Sequence, residues 1–307
     1  MNSKEFDRII LHNLLKRYPN EFGYYSQLLN RKYDTYYNNI IFSKFIDNMK
    51  SKNINHYNQY NSGNGSELKE KRGTPPKMAC VGSSSRFCYI ALNDVGWENP
   101  IFKGIPEFEH SCPIDGIKGT PPQLDAFFKE SNTYFEVKCH EIFKKHSVIL
   151  PRAYWNLIYG EYNDFRFNII ETLNDAKEDS KLFQISLEEF GFDKEKETSM
   201  FDIKQLLCHL LGIKYNKKKD KKFQNAELIY LFFIPKCGDI NYDNKINRIF
   251  KNLKREIITI FSSRPISQFC KTNNITLTAM AEKSEIMEPL SDKNTEIIYS
   301  TNKSLSS

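Results

Sequence analysis

The run AELIYLFFIP at residues 226–235 constrains the fold of this chain more than any other feature. It is apolar almost throughout and rich in aromatic and β-branched side chains. A strand with one face in water would alternate between apolar and polar residues, so this pattern indicates a strand buried on both faces. Such a strand needs a covering layer on each side of its sheet. The run therefore predicts an α/β architecture.

The other periodic segments supply the rest of the sheet and its covering layers. Apolar residues at helical spacing predict helices at 4–17, 35–50, 83–94, 199–211 and 244–262. Composition and alternation predict strands at 105–112, 123–128, 133–139 and 275–282. We expect a mixed central β-sheet with helices on both faces.

The helix at 199–211 carries its own start and stop signals. Ser199 and Asp202 have the spacing of a capping box, which would satisfy the first backbone amides of the helix. Gly212 follows the last apolar residue and is expected to end the helix.

Composition divides the chain into four parts. We expect an N-terminal helical region at 1–54, a polar linker at 55–76, an α/β core at 77–282 and a loose polar tail at 283–307. The linker prediction rests on the Asn-, Gly- and Lys-rich sequence that ends in GTPP near Pro76.

Bulk properties disfavour several classes of protein. Of the 307 residues, 40% are hydrophobic and 14% aromatic, which is enough for a packed core and disfavours disorder. No stretch approaches the roughly 20 apolar residues of a membrane-spanning helix, and the N-terminus lacks a signal-peptide pattern. Seven cysteines without a CxxC pair are typical of free thiols in a reducing compartment. We expect a soluble cytoplasmic protein, and the net charge of +6 permits a polyanionic partner without requiring one.

The segment PQLDAFFKESNTYFEVKCHEIF, at 122–143, contains the candidate chemistry. Alternation along the strand 133–139 places Glu136 and Lys138 on one face, and the opposite face is apolar. If KESN is the hairpin loop, Phe128 faces Thr133, and the same register sets Asp125 opposite Glu136. The sequence therefore predicts two opposed carboxylates with a lysine beside them.

Opposed carboxylates in an apolar hairpin repel each other and need a counter-charge. A divalent cation with hard oxygen ligands, such as Mg²⁺, would supply it. Lys138 would then orient water and balance charge that develops on a phosphate. These are the parts required for metal-assisted phosphodiester hydrolysis. The competing interpretation is an exposed hairpin whose acids and lysine form ordinary solvated ion pairs.

The pattern LDAFF…TYFEVKC resembles the motif of the PD-(D/E)XK, or restriction-endonuclease-like, superfamily of nucleases. The resemblance covers about residues 78–282, although Leu124 stands where the motif's name has proline. It implies a restriction-endonuclease-like core, with Asp125 and Glu136 as metal ligands and Lys138 as the catalytic lysine. The implied activity is Mg²⁺-dependent cleavage of DNA in restriction or defence, with Mn²⁺ able to replace Mg²⁺. The segment CHEIF after the strand is similar to that of a group of bacterial restriction-endonuclease-like proteins.

The resemblance also implies supporting residues outside the hairpin. Glu109 is expected as an additional acidic metal ligand, in preference to Glu67 and Asp94, although a surface ion pair would explain each of these acids. Gln205 and His209, on the helix after the motif, are expected to contact phosphate or a metal-bound water. A buried, internally satisfied histidine is the alternative at position 209.

Two basic or hydroxyl-rich segments are candidate phosphate contacts. Ser84 and Arg86 open the helix at 83–94, where a helix N-terminus can hold a phosphate, and capping is the competing role. Lys217, Lys218 and Lys219 belong to a lysine run that is expected either to touch the DNA backbone or to form a solvated loop.

Glu141, just after the motif, is expected to support the metal ligands or to cap the next helical turn. The expected partners are DNA and a second copy of the chain, since a homodimer would cut both strands, and no membrane. The alternatives are an RNA-processing or junction-cleaving nuclease of the same fold, or a non-catalytic DNA-binding protein. The intact set of Asp125, Glu136 and Lys138 argues against the non-catalytic protein.

Overall fold

The structure, a computed structural model, describes residues 1–19, 39–62, 67–93, 102–117, 121–158, 169–175, 180–219, 224–291 and 293–301. Eight α-helices fall in this part of the chain: α1 (Ser3–Arg17), α2 (Asn39–Lys52), α3 (Ile54–Ser62), α4 (Ser84–Asn93), α5 (Arg152–Asn156), α6 (Ile203–Lys219), α7 (Ile240–Ser262) and α8 (Arg264–Thr272). The same part contains nine strands: β1 (Glu107–Ser111), β2 (Gln123–Phe128), β3 (Thr133–Lys138), β4 (Ile149–Pro151), β5 (Ile169–Asp175), β6 (Ser180–Ile185), β7 (Ala226–Pro235), β8 (Ile275–Ser284) and β9 (Thr295–Ser300).

Six strands form the central sheet in the order β1-β2-β3-β7-β8-β9. The neighbours β3, β7 and β8 run parallel, and the other neighbouring pairs are antiparallel. A second sheet of three strands, β4-β6-β5, lies between β3 and α6 in the sequence. The predicted α/β class with a mixed sheet flanked by helices is confirmed, whereas the small sheet was not predicted.

Alternate residues of β7 enter two different hydrophobic cores, one on each face of the sheet. The core on the side of α6, α7 and α8 contains Leu228, Tyr230 and Phe232. The core on the side of α1, α2, α3 and α4 contains Ile229, Leu231 and Phe233. The prediction that the run at 226–235 is buried on both faces is therefore confirmed.

The N-terminal helices are part of this packing. Phe6 of α1 is fully buried and packs edge-on against Phe233, with ring centroids 6.4 Å apart. The amide of Asn13 donates to the carbonyl oxygens of Lys236 and Glu285, both at 2.7 Å. These contacts join α1 to the ends of β7 and β8, so the N-terminal region covers one face of the sheet.

The prediction that residues 55–76 form a polar linker is wrong over the residues that belong to α3. His56 and Tyr60 lie one helical turn apart and are both buried. The Tyr60 ring stacks on Phe108 of β1, with centroids 5.1 Å apart. Polar composition concealed this helix because two buried aromatic side chains at the right spacing are enough to anchor it against the sheet.

The expected loose tail at 283–307 is also wrong over much of its length. β8 continues to Ser284, and β9 pairs with it along the edge of the sheet. Between these strands Ile286 and Leu290 are buried. Glu296 of β9 is ion-paired to Lys254 and Lys283, which fixes the edge strand to α7 and β8. Residues 302–307 lie outside the described residues.

Gly212 does not end α6, which continues to Lys219. A Cβ atom on Gly212 would lie 2.7 Å from Cβ of Cys112. The glycine therefore permits close packing of the helix against the β1–β2 connection, and termination was the wrong interpretation. The predicted capping box of Ser199 and Asp202 was wrong as well. Asp202 itself caps α6 by accepting from the backbone amide of Gln205 at 2.9 Å, and the Ser199 hydroxyl donates to the carbonyl of Phe201.

Within the described residues, none of the helices combines the length and the apolar character that crossing a membrane would require.

Candidate active site

The hairpin of β2 and β3 has the register that the sequence predicts. Phe128 pairs with Thr133, and Ala126 pairs with Phe135. The ladder ends there, and the next position along it holds Asp125 on β2 and Glu136 on β3. One carboxylate oxygen of Asp125, Oδ2, accepts a hydrogen bond from the backbone amide of Val137 at 2.6 Å. Asp125 therefore lies where the two strands begin to separate.

Glu109 of β1 lies on the other side of Asp125. The pairs Phe108–Ala126 and His110–Leu124 flank it, so Glu109 and Asp125 face each other across the two strands. The backbone of Glu109 has a φ of 54°, a left-handed conformation that is uncommon for a residue with a side chain and that often marks a functional site. Glu109, Asp125 and Glu136 thus occupy one row across β1, β2 and β3.

These carboxylates lie in a poorly solvated and mutually repulsive environment. Burial raises the pKa of Asp125 well above its ordinary value, and the charges of Glu136 and Glu109 raise it further. Burial and the nearby charge of Glu67 raise the pKa of Glu109 to about 7. Lys138 opposes the effect at Asp125 without cancelling it. The positive charge of Lys138 therefore does not balance the carboxylates of the cluster.

Lys138 and Gln205 hold Glu136 in a closed set of hydrogen bonds. The ammonium of Lys138 donates to Oε1 of Glu136 at 2.6 Å and to the side-chain oxygen of Gln205 at 2.6 Å. The amide nitrogen of Gln205 donates to the same Glu136 oxygen at 2.7 Å. Helix α6 therefore borders the site, and Gln205 orients the lysine and the glutamate.

His209 lies behind Glu136, one turn further along α6. Its side chain is 2% exposed, and its Nε2 lies 3.7 Å from Oε2 of Glu136. Its Nδ1 is hydrogen-bonded to the hydroxyl of Tyr230 at 3.0 Å. Burial lowers the pKa of His209, which favours the neutral imidazole, although the Glu136 carboxylate opposes this effect. The structure therefore shows the alternative expected at position 209, a buried histidine, and this side chain contacts Glu136 and Tyr230.

The N-terminus of α4 makes capping and packing contacts. Ser83 caps the helix by accepting from the backbone amide of Arg86 at 3.2 Å, and Ser84 lies in the first turn. The guanidinium of Arg86 donates to the carbonyl of Met78 and lies 4.5 Å from the centroid of the Phe45 ring. Capping and packing therefore account for this segment, and the structure offers no support for its expected contact with phosphate.

The lysine run lies at the other end of α6. The twelve residues from Gln205 to Lys217 span about 18 Å of helix. The ammonium of Lys217 donates to the carbonyl oxygens of Asn273 and Asn274, just before β8. Lys217 thus stabilises the α8–β8 turn, so the expectation that it touches DNA is not supported. The side chains of Lys218, Lys219, Glu141 and Asp94 lie outside the described residues.

Two residues near the cluster were not predicted as part of the site. Glu67 is 4% exposed, and it provides the strongest charge effect on the pKa of Glu109. The ammonium of Lys77 lies 2.9 Å from a carboxylate oxygen of Glu67. Glu109 was preferred over Glu67 as the upstream acid from the sequence, whereas in the structure Glu67 lies close enough to Glu109 to raise its pKa.

Among the described residues, no three or more His, Cys, Asp and Glu side chains are grouped so that they could hold a metal ion. No known protein family, curated protein or solved structure matches this chain. The fold and the site define the chain as an α/β protein with a row of carboxylates and one lysine at the point where two central strands diverge.

Proposed function

We propose that this chain is a metal-dependent endonuclease that hydrolyses DNA phosphodiester bonds, with a core of the PD-(D/E)XK, restriction-endonuclease-like type. The observation that carries the proposal is the hairpin register, which sets Asp125 beside Glu136. Lys138, two residues after Glu136, has its ammonium on that glutamate. Restriction or defence and a homodimer are parts of the proposal that rest on the resemblance of the motif, and a cytoplasmic location is a part that rests on the seven cysteines without a CxxC pair.

The donor set fits Mg²⁺ better than a metal that needs several protein ligands. Mg²⁺ commonly keeps several waters and is bound through one or two carboxylates, so the lack of a three-ligand group among the described residues does not count against it. Burial and the charges of Glu136 and Glu109 raise the pKa of Asp125, an effect that a bound cation would oppose. Asp125 and Glu136 would hold the cation, and Mn²⁺ would also suit these oxygen ligands.

A bound divalent cation would supply Lewis acidity toward the phosphate. The chain's own residues provide position and charge. Lys138 is held between Glu136 and Gln205, where its ammonium would offset negative charge that builds up on the phosphate during hydrolysis. Gln205 fixes the direction of this ammonium, and His209 restrains the second oxygen of Glu136 from behind.

The experiment is cleavage of supercoiled plasmid by the purified full-length chain, with Mg²⁺ or with EDTA. We expect nicked and linear products with Mg²⁺ alone. The variants D125N, E136Q and K138M keep the size of each side chain and should each lose cleavage. E130Q is the matched control, because Glu130 is an exposed acid in the loop of the same hairpin and should leave cleavage unchanged.

Cleavage in EDTA, or wild-type cleavage by D125N or E136Q, would refute the proposal. Cleavage of RNA but not of plasmid under the same conditions would replace DNA with RNA as the substrate.

A further inference from the structure

The segment between β3 and α6, which we call the excursion, contains the small sheet. It begins and ends beside the site. His146 and Ser199 close the base of this excursion through two backbone hydrogen bonds of 2.8 and 2.9 Å. Nδ1 of His146 also lies 3.3 Å from Oδ2 of Asp202, the cap of α6. The base of the excursion is therefore fixed beside Gln205 and Lys138.

A cavity of about 250 Å³ is lined both by Lys138 and by His146 of this base. Gln205 and Lys144 line it as well. The remaining lining residues are mainly apolar: Ile142, Met200, Phe201, Tyr230 and Phe232, with Asp202 at the cap of α6. The cavity thus begins at the proposed catalytic lysine, and a second lysine, Lys144, also lines it.

A second cavity, of about 580 Å³, lies on the other side of Met200, which lines both. Lys145 and Arg255 line it and are exposed. Phe192 also lines it and is partly exposed, with the ammonium of Lys196 4.0 Å from its ring centroid. Because Met200 lines both cavities, they are neighbours, and we call the two together the path.

The charge along this path is opposite to that of the carboxylate row. Two acids, Asp202 and Glu256, line the two cavities, and each is paired with a basic side chain of the path, His146 and Lys196 respectively. Five cations line the path, of which Lys138 and Lys196 are ion-paired to Glu136 and Glu256. The other three are Lys144, Lys145 and Arg255. A row of cations with an accessible aromatic ring is the combination that binds single-stranded nucleic acid, through phosphates and stacked bases.

The dimensions favour one strand over two. Cavities of about 250 and 580 Å³ are comparable with small-molecule pockets, which hold a single nucleotide or a few in line. We propose that this path holds one DNA strand leading away from the scissile phosphate, with the first nucleotide beside Lys144 and the next phosphates at Lys145 and Arg255. The proposal rests on the proposed function and adds a preference for single-stranded or locally opened DNA.

The test is binding of a fluorescein-labelled 12-nucleotide oligothymidylate to the full chain in EDTA, measured by anisotropy over a range of salt concentrations. The double variant K144Q/R255Q should bind more weakly, and its log–log salt slope should be less steep by about 1.4 for two lost contacts to a single strand. The double variant K129Q/K271Q removes the same charge from exposed positions outside the path and should keep the wild-type slope. A blunt duplex of 12 base pairs should show the same slope with all three proteins.

An unchanged slope for the oligothymidylate in K144Q/R255Q would overturn the proposal. An equal loss of slope for the duplex would also overturn it, because the path would then contact the outside of double-stranded DNA. Plasmid cleavage with Mg²⁺ separates this result from the proposed function. If the chain cleaves plasmid but K144Q/R255Q leaves the slope unchanged, only the proposed strand path is refuted. If K144Q/R255Q reduces the slope but none of the proteins cleaves plasmid, the strand path is supported and the nuclease function is refuted.

Discussion

Replacing Glu109 with glutamine should stabilise the protein in the absence of a divalent cation, and the gain should depend on pH. The pKa of Glu109 is raised from its ordinary 4.5 to about 7 by burial and by Glu67. Below pH 4.5 the side chain is protonated in both the folded and unfolded states. Between pH 4.5 and 7 the folded state holds a proton that the unfolded state has released, so stability falls as pH rises. At about 1.4 kcal/mol per pH unit, this fall amounts to about 3 kcal/mol and is complete above pH 7.

The assay is urea unfolding of wild type and E109Q in EDTA at pH 4.5 and pH 8. Glutamine mimics the protonated side chain, so the two proteins should differ little at pH 4.5, and E109Q should be more stable by about 3 kcal/mol at pH 8. E107Q, on the same strand but exposed, should change stability by less than about 0.5 kcal/mol at either pH. Mg²⁺ at 100 times its dissociation constant should add about 2.7 kcal/mol to wild type if it binds only the folded chain.

A stability of E109Q equal to or below that of wild type at pH 8 would refute this account of the carboxylate row. It would mean that Glu109 has a compensating partner or is solvated.

Three further predictions concern α6. Q205A should lower kcat for DNA cleavage by about 10- to 100-fold with little change in KM, because Gln205 orients Lys138 and Glu136; an increase in KM with unchanged kcat would contradict this. G212A should destabilise the fold by about 1–3 kcal/mol in urea unfolding, because the added methyl group meets Cys112, and an unchanged midpoint would show that the contact relaxes freely. K217Q should leave the salt slope of DNA binding unchanged, because its ammonium is already bonded to Asn273 and Asn274; a slope less steep by about 0.9 on duplex DNA would restore Lys217 as a phosphate contact.

The parts of the fold that the sequence predicts are those governed by local periodicity. Strand β7 was predicted because a run without polar alternation has few alternatives to burial on both faces. The hairpin register was predicted because a four-residue loop fixes every later pair by counting, which placed Asp125 at the position facing Glu136. The position of Lys138 on the same face as Glu136 was predicted because successive side chains of a strand point to opposite faces.

The parts that were missed depend on contacts between distant segments. Gly212 has the sequence context of a helix end, and only the approach of Cys112 explains it. The helix α3 is anchored by Phe108, which lies far along the chain from Tyr60. Glu67 reaches Glu109 through packing that no local pattern encodes. The small sheet and the cavities at its base result from a long excursion between β3 and α6, whose return point at Ser199 is set by pairing with His146.

The proposed function requires Asp125 and Glu136 to share one divalent cation. Anomalous diffraction from crystals of the full-length chain soaked in Mn²⁺ would locate this cation. We expect one strong anomalous peak bonded to a carboxylate oxygen of Asp125 and one of Glu136, and the loss of that peak in crystals of D125N. A peak elsewhere, or density between the two carboxylates that is unchanged by D125N, would show that these residues do not hold the metal.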